Sequence, residues 1–63
     1  MTEQQIKLKN MRYKTAYSSF YKKWFEIIQV KEDDFGELLI CARIQDTNEL
    51  FVLRECELDK FIL

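Results

Sequence analysis

Two turn-forming tetrads, Asp33-Asp34-Phe35-Gly36 and Asp46-Thr47-Asn48-Glu49, separate three runs rich in Ile, Val, Leu and Phe. This spacing constrains the fold more than any other feature, because short apolar runs punctuated by Asp, Asn and Gly are the pattern of antiparallel strands joined by tight turns. Folding about the first tetrad places Phe25 opposite Ile44, Ile27 opposite Ala42 and Glu26 opposite Arg43. Folding about the second places Phe51 opposite Ile44 and Leu53 opposite Ala42. The two registers agree, so one face of a β-meander collects Phe25, Ile27, Ile40, Ala42, Ile44, Phe51 and Leu53 as a core, with Gln29 at its margin.

The same register assigns Trp24, Glu26, Ile28, Val30, Leu39, Cys41, Arg43, Val52 and Arg54 to the opposite face. That surface is mixed rather than polar, and an open sheet would leave its apolar part in water. The N-terminal segment, barrel closure or a partner protein is expected to cover it. On this pairing Cys41 faces Arg54, and Cys56 lies diagonally at about 7–8 Å, beyond disulfide geometry. Both are read as free thiols.

The N-terminal part admits two readings. Thr2-Glu3-Gln4-Gln5 has the form of a helix capping box, and Ile6, Tyr13, Ala16, Tyr17, Phe20 and Trp24 share one stripe at helical spacing, which suits a helix over Thr2–Lys22. Met11–Tyr21 is also rich in Tyr, Thr and Ser, which suits a strand that would help to close a barrel.

With 63 residues the chain is one small domain, and 48% apolar composition is enough for a single compact core. Charge divides it. Residues 1–23 carry six bases and one acid, a net of +5, whereas residues 24–63 carry four bases and ten acids, a net of −6. The longest unbroken apolar run, Leu38–Ala42, is far too short for a membrane span. The first residues lack the features of a secretory signal, and the two cysteines form no CxxC pair. A cytoplasmic protein is expected.

The residue inventory argues against catalysis. Histidine is absent, and Gly36 is the only glycine, so neither the commonest general base nor a glycine-rich phosphate loop is present. Two cysteines with carboxylates make an unusual zinc set, and Asp33 and Asp34 read as solvated turn carboxylates. No enzyme, metal or cofactor is expected.

Downstream of Trp24, the run Leu50–Leu53 reads as a strand, Arg54-Glu55-Cys56-Glu57-Leu58 as a short helical turn, and Asp59–Leu63 as a brief closing strand. This succession resembles the end of an SH3-like small barrel, in which a single 3₁₀ turn joins the last two strands. The glycine and proline landmarks and the acidic ligand loop of peptide-binding SH3 domains are missing, so the resemblance does not imply proline-peptide binding. It implies a module that binds proteins or nucleic acids rather than one that catalyses.

Three surfaces are candidates for function. The first is the mixed face, with Trp24, Ile28, Val30, Leu39 and Val52 as docking residues for a protein partner or a second copy of the chain. The second is the basic, aromatic run Tyr13, Lys14, Tyr17, Phe20, Tyr21, Lys22, Lys23 and Trp24, whose cations and rings suit phosphates and stacked bases of single-stranded nucleic acid. Burial of Tyr13, Tyr17, Phe20 and Trp24 on one helical face would remove that role. The third is the acidic surface Glu32, Asp33, Asp34, Glu37, Asp46, Glu49, Glu55, Glu57 and Asp59, which either meets a basic partner or simply keeps the domain soluble. The sequence reading is a mainly β, non-enzymatic protein-interaction or regulatory module, with nucleic-acid binding as the alternative.

Overall fold

The computed structural model describes residues 2–63. The capping box forms: the Thr2 hydroxyl accepts the Gln5 N–H and the Gln5 side chain accepts the Thr2 N–H, starting α1 at Glu3–Lys9. The helix does not continue to Lys22. The Met11 N–H donates to the Leu8 carbonyl and the Arg12 N–H to the Lys7 carbonyl, closing a Schellman end in which Met11 takes the left-handed φ of 56°. The Tyr- and Thr-rich stretch beyond it then enters the sheet as β1, Thr15–Ser18. The helix reading therefore holds only for Glu3–Lys9, and the strand reading holds for Thr15–Ser18 without closing a barrel.

Strands β2 (Lys23–Glu32), β3 (Leu38–Ile44) and β4 (Leu50–Arg54) form the expected meander, and a 3₁₀ turn at Glu55–Glu57 leads to β5, Lys60–Ile62. Every pairing is antiparallel, and the strand order is β4-β3-β2-β1-β5. The sheet is therefore open, with β4 and β5 at its edges rather than joined in a barrel. Asp33 shapes the first turn by accepting the N–H groups of Phe35 and Glu37, and Gly36 supplies the φ of 83° there.

Three details depart from the sequence register. First, β2 bulges between Ile27 and Gln29, so Gln29 pairs with Cys41 and Val30 with Ile40. The extra residue reverses the alternation beyond it: Val30 turns half-buried toward the core, and Gln29 turns outward. Second, the β3–β4 loop closes between Ile44 and Glu49, because Asn48 adopts a φ of 62° and donates its N–H to the Ile44 carbonyl. Phe51 therefore faces Ala42 and Leu53 faces Ile40, a two-residue slip that keeps each side chain on its expected face. Third, Cys41 pairs with Val52 rather than Arg54. Both cysteines are free, Cys41 half-buried and Cys56 exposed.

The core gathers Phe25, Ile27, Ile40, Ala42, Ile44 and Leu53 from the sheet with Leu8, Ala16, Leu38 and Leu58, while Phe51 is half-buried at its rim. Leu8 brings α1 against this inner face, and Lys9 reaches Glu32 at 2.7 Å. Among the described residues no helix is long and apolar enough to cross a membrane.

Candidate interaction surface

Because α1 packs on the inner face, the opposite face of the sheet stays open. Its cross-strand rows follow from the register. One runs Lys60–Tyr17–Trp24, the next Ile62–Thr15–Glu26–Arg43–Leu50, then Gln29–Cys41–Val52, then Lys31–Leu39–Arg54. Ile28 stands beside these rows at the bulge. Trp24, Ile28 and Val52 are 41%, 45% and 65% exposed, and Leu39 is half-buried between Lys31 and Arg54. Four of the five docking residues expected from sequence thus share this face. Val30 does not, since the bulge has turned it inward.

The Trp24 and Tyr17 rings meet with centroids 5.1 Å apart at 57°, forming a tilted aromatic pair at one end of the face. The charge on the face is one-sided. Lys31, Arg43, Arg54 and Lys60 occupy its rows against a single acid, Glu26, which accepts the Arg43 guanidinium at 2.8 Å. The remaining acids lie off the face in α1, in turns, at strand ends or in the 3₁₀ turn; Glu37 reaches back to Arg54 at 3.7 Å. Sequence reading missed Lys31 and Lys60 as members of this surface. Lys60 lies far from Trp24 in the chain, and only the β1–β5 pairing brings it beside Tyr17.

The basic, aromatic run is not a buried helical stripe. Tyr13 is half-buried against Phe61, with ring centroids 5.1 Å apart, and Lys14 is exposed just before β1, where its N–H donates to Ile62 and its carbonyl accepts from Ile27. Phe20 is 75% exposed at the tip of the β1–β2 hairpin, followed by Tyr21, Lys22 and Lys23, all exposed. Tyr21 leans its ring on Phe25 and Phe51 while its hydroxyl donates to Glu57 at 3.2 Å. Partial loss of water and the Glu57 carboxylate raise its pKa above the ordinary tyrosine value. Asp59 accepts the Ser19 N–H at the same tip, and its hydrogen bonds to Ser19, aided by Lys60, hold its carboxyl below the ordinary range.

Two shallow depressions flank these surfaces. A cleft of about 200 Å³ lies between Lys22, Lys23, Trp24, Ile44, Gln45 and Asp46, and a groove of about 460 Å³ between α1 and the C-terminus is lined by Ile6, Lys7, Asn10, Arg12 and Leu63 with Glu3. Among the described residues no three Cys, Asp or Glu side chains converge in a metal-binding group. No protein-family model, no curated protein and no solved structure matches the chain.

Proposed function

We propose that this chain is a non-enzymatic protein-interaction module that docks a partner protein on the outer face of its sheet. The observation that carries this reading is the placement of α1. Among the described residues the one α-helix is committed to the core side through Leu8, while Trp24, Ile28 and Val52 stand in solvent on the other. Large exposed apolar side chains gathered on one surface of so small a domain mark a contact site. The Tyr17–Trp24 pair offers the kind of aromatic anchor that dominates interface energetics. Lys31, Arg54 and Lys60 around the apolar centre favour a partner with an acidic rim.

The order of elements supports an SH3-like kinship: a four-strand meander, a 3₁₀ turn, then a last strand returning to β1. Small barrels of that kind serve mainly as binding scaffolds. Two free thiols fit a reducing, cytoplasmic setting.

The test is to add isotope-labelled protein to lysate of its native host and follow the backbone resonances. Broadening confined to Tyr17, Trp24, Ile28, Leu39 and Val52, and abolished by Trp24→Ser, supports the reading. Broadening centred on α1 or on the acidic turns overturns it.

Nucleic-acid binding is kept as a second reading for one observation. Phe20, Tyr21 and Trp24 are exposed beside Lys22 and Lys23, as stacking on bases requires. Asp46, Glu57 and Asp59 crowd the same hairpin and oppose phosphate, which is why it stands second.

A further inference from the structure

We infer that β4 is a self-pairing edge, and that two copies of this chain associate by antiparallel addition of β4 to β4 about a two-fold axis through Phe51. This deepens the protein-docking reading by naming one partner, but it rests on the sheet edge and not on Trp24.

The backbone fixes which groups are free. The Ile44 N–H donates to the Glu49 carbonyl, so Ile44 and Glu49 form a hydrogen-bonded pair. Antiparallel ladders alternate, so Phe51 and Leu53 also bond to β3, while the N–H and C=O groups of Leu50, Val52 and Arg54 point away from the sheet. One of these is already capped. The Arg54 N–H donates to the Glu57 carboxylate at 3.0 Å, closing the edge at its C-terminal end. What remains open is Leu50 and Val52, whose side chains are 74% and 65% exposed.

A bare edge of this kind normally carries a proline, a lysine or a covering element. β4 reads Leu-Phe-Val-Leu-Arg and has neither of the first two. The other edge, β5, is only three residues long and offers much less to pair with.

The occupant follows from complementarity. Placing Phe51 opposite its copy puts Leu50 of each chain opposite Val52 of the other as hydrogen-bonded pairs. That register forms four backbone hydrogen bonds from the free groups alone and leaves the Arg54–Glu57 cap intact. It seats two Leu–Val pairs on the outer face and brings the two half-buried Phe51 rings together on the inner face. Charges do not oppose it: Glu49 falls opposite Leu53, and Arg54 opposite Asn48. Centring on Val52 instead would demand the capped Arg54 N–H and set Glu49 against Glu55.

The experiment is sedimentation velocity from about 10 µM to about 1 mM, the range in which a small interface would report. Wild-type protein is expected to pass from monomer to dimer. Leu50→Lys and Val52→Glu should each weaken association at least about tenfold. Mixing the two variants should restore a heterodimer, because the introduced lysine of one chain then faces the introduced glutamate of the other. Both positions are exposed, and thermal melts check that each variant folds. A wild-type monomer throughout, or variants that fail to rescue each other, overturns the inference. Trp24→Ser should leave self-association unchanged while removing the outer-face contact, so failure here and failure of the docking reading are told apart.

Discussion

The Ser18 hydroxyl donates to the Glu57 carbonyl at 2.7 Å and accepts the Tyr21 N–H at 3.2 Å, tying the end of β1 to the 3₁₀ turn from a site fully removed from solvent. It is the one buried polar side chain among the described residues. Replacing it by alanine strands both backbone partners, so Ser18→Ala should cost about 1–3 kcal/mol. Urea denaturation followed by Trp24 fluorescence measures the loss, and amide exchange at Tyr21 should quicken with it. An unchanged midpoint would mean that water replaces the hydroxyl.

The bulge in β2 makes a second prediction, because it decides which of two neighbours faces the core. Val30→Asp should unfold the domain or nearly so, since it places a carboxylate beside Ile40. Gln29→Asp should stay within about 0.5 kcal/mol of wild type. Had β2 run without a bulge, the order would be reversed. Ile44→Ala, at a buried position of the unbulged register, should cost about 2–5 kcal/mol, close to the whole stability of a domain this size.

The meander was legible because pairing leaves a parity signal. Phe25 and Ile27 flank Glu26 as Ala42 and Ile44 flank Arg43, and a two-residue slip at the second loop leaves that alternation intact. Val30 was misplaced for the converse reason: a bulge of one residue leaves no mark in composition, and Ile28 and Val30 are equally apolar. The length of α1 was hidden because its stop is a methionine in a left-handed conformation where glycine is the usual signal. Trp24, Ile28, Leu39 and Val52 stand on the face to which their alternation assigns them. Lys60 could enter it only through β5, which is too short to announce its partner.

Acid should loosen the tie between the hairpin tip and β5. The hydrogen bonds from Ser19 depress the Asp59 pKa in the folded state, so the unfolded chain binds that proton more readily. The stabilisation is therefore fully present above the unfolded carboxylate value of about 3.9 and is lost as pH falls through the lower folded value. Tyr21 behaves in the opposite sense: its raised pKa gives a contribution that is complete below the unfolded tyrosine value and lost as pH rises through the folded one. Carboxyl-carbon shifts should place Asp59 below the ordinary aspartate value. Asp59→Asn should flatten the acid limb of the stability curve, and a curve left unchanged would remove Asp59 as its cause.

Single-stranded nucleic acid gives the sharpest discrimination between the two functional readings, because phosphate contacts leave a signature in salt that protein docking does not. If Lys22, Lys23 and Lys60 each neutralise one phosphate, the slope of log affinity against log salt should be about −2. Trp24 fluorescence should quench as bases stack near it. Reversing Lys60 alone should reduce the slope by about one contact's share, and Phe20→Ala should weaken binding without changing it. On the docking reading, oligonucleotides at tens of micromolar protein and low salt produce no quenching, because Asp46, Glu57 and Asp59 surround the hairpin with negative charge. We expect this second outcome. Salt-sensitive quenching that disappears on charge reversal at the three lysines would displace protein docking and make the hairpin, rather than the sheet face, the working surface.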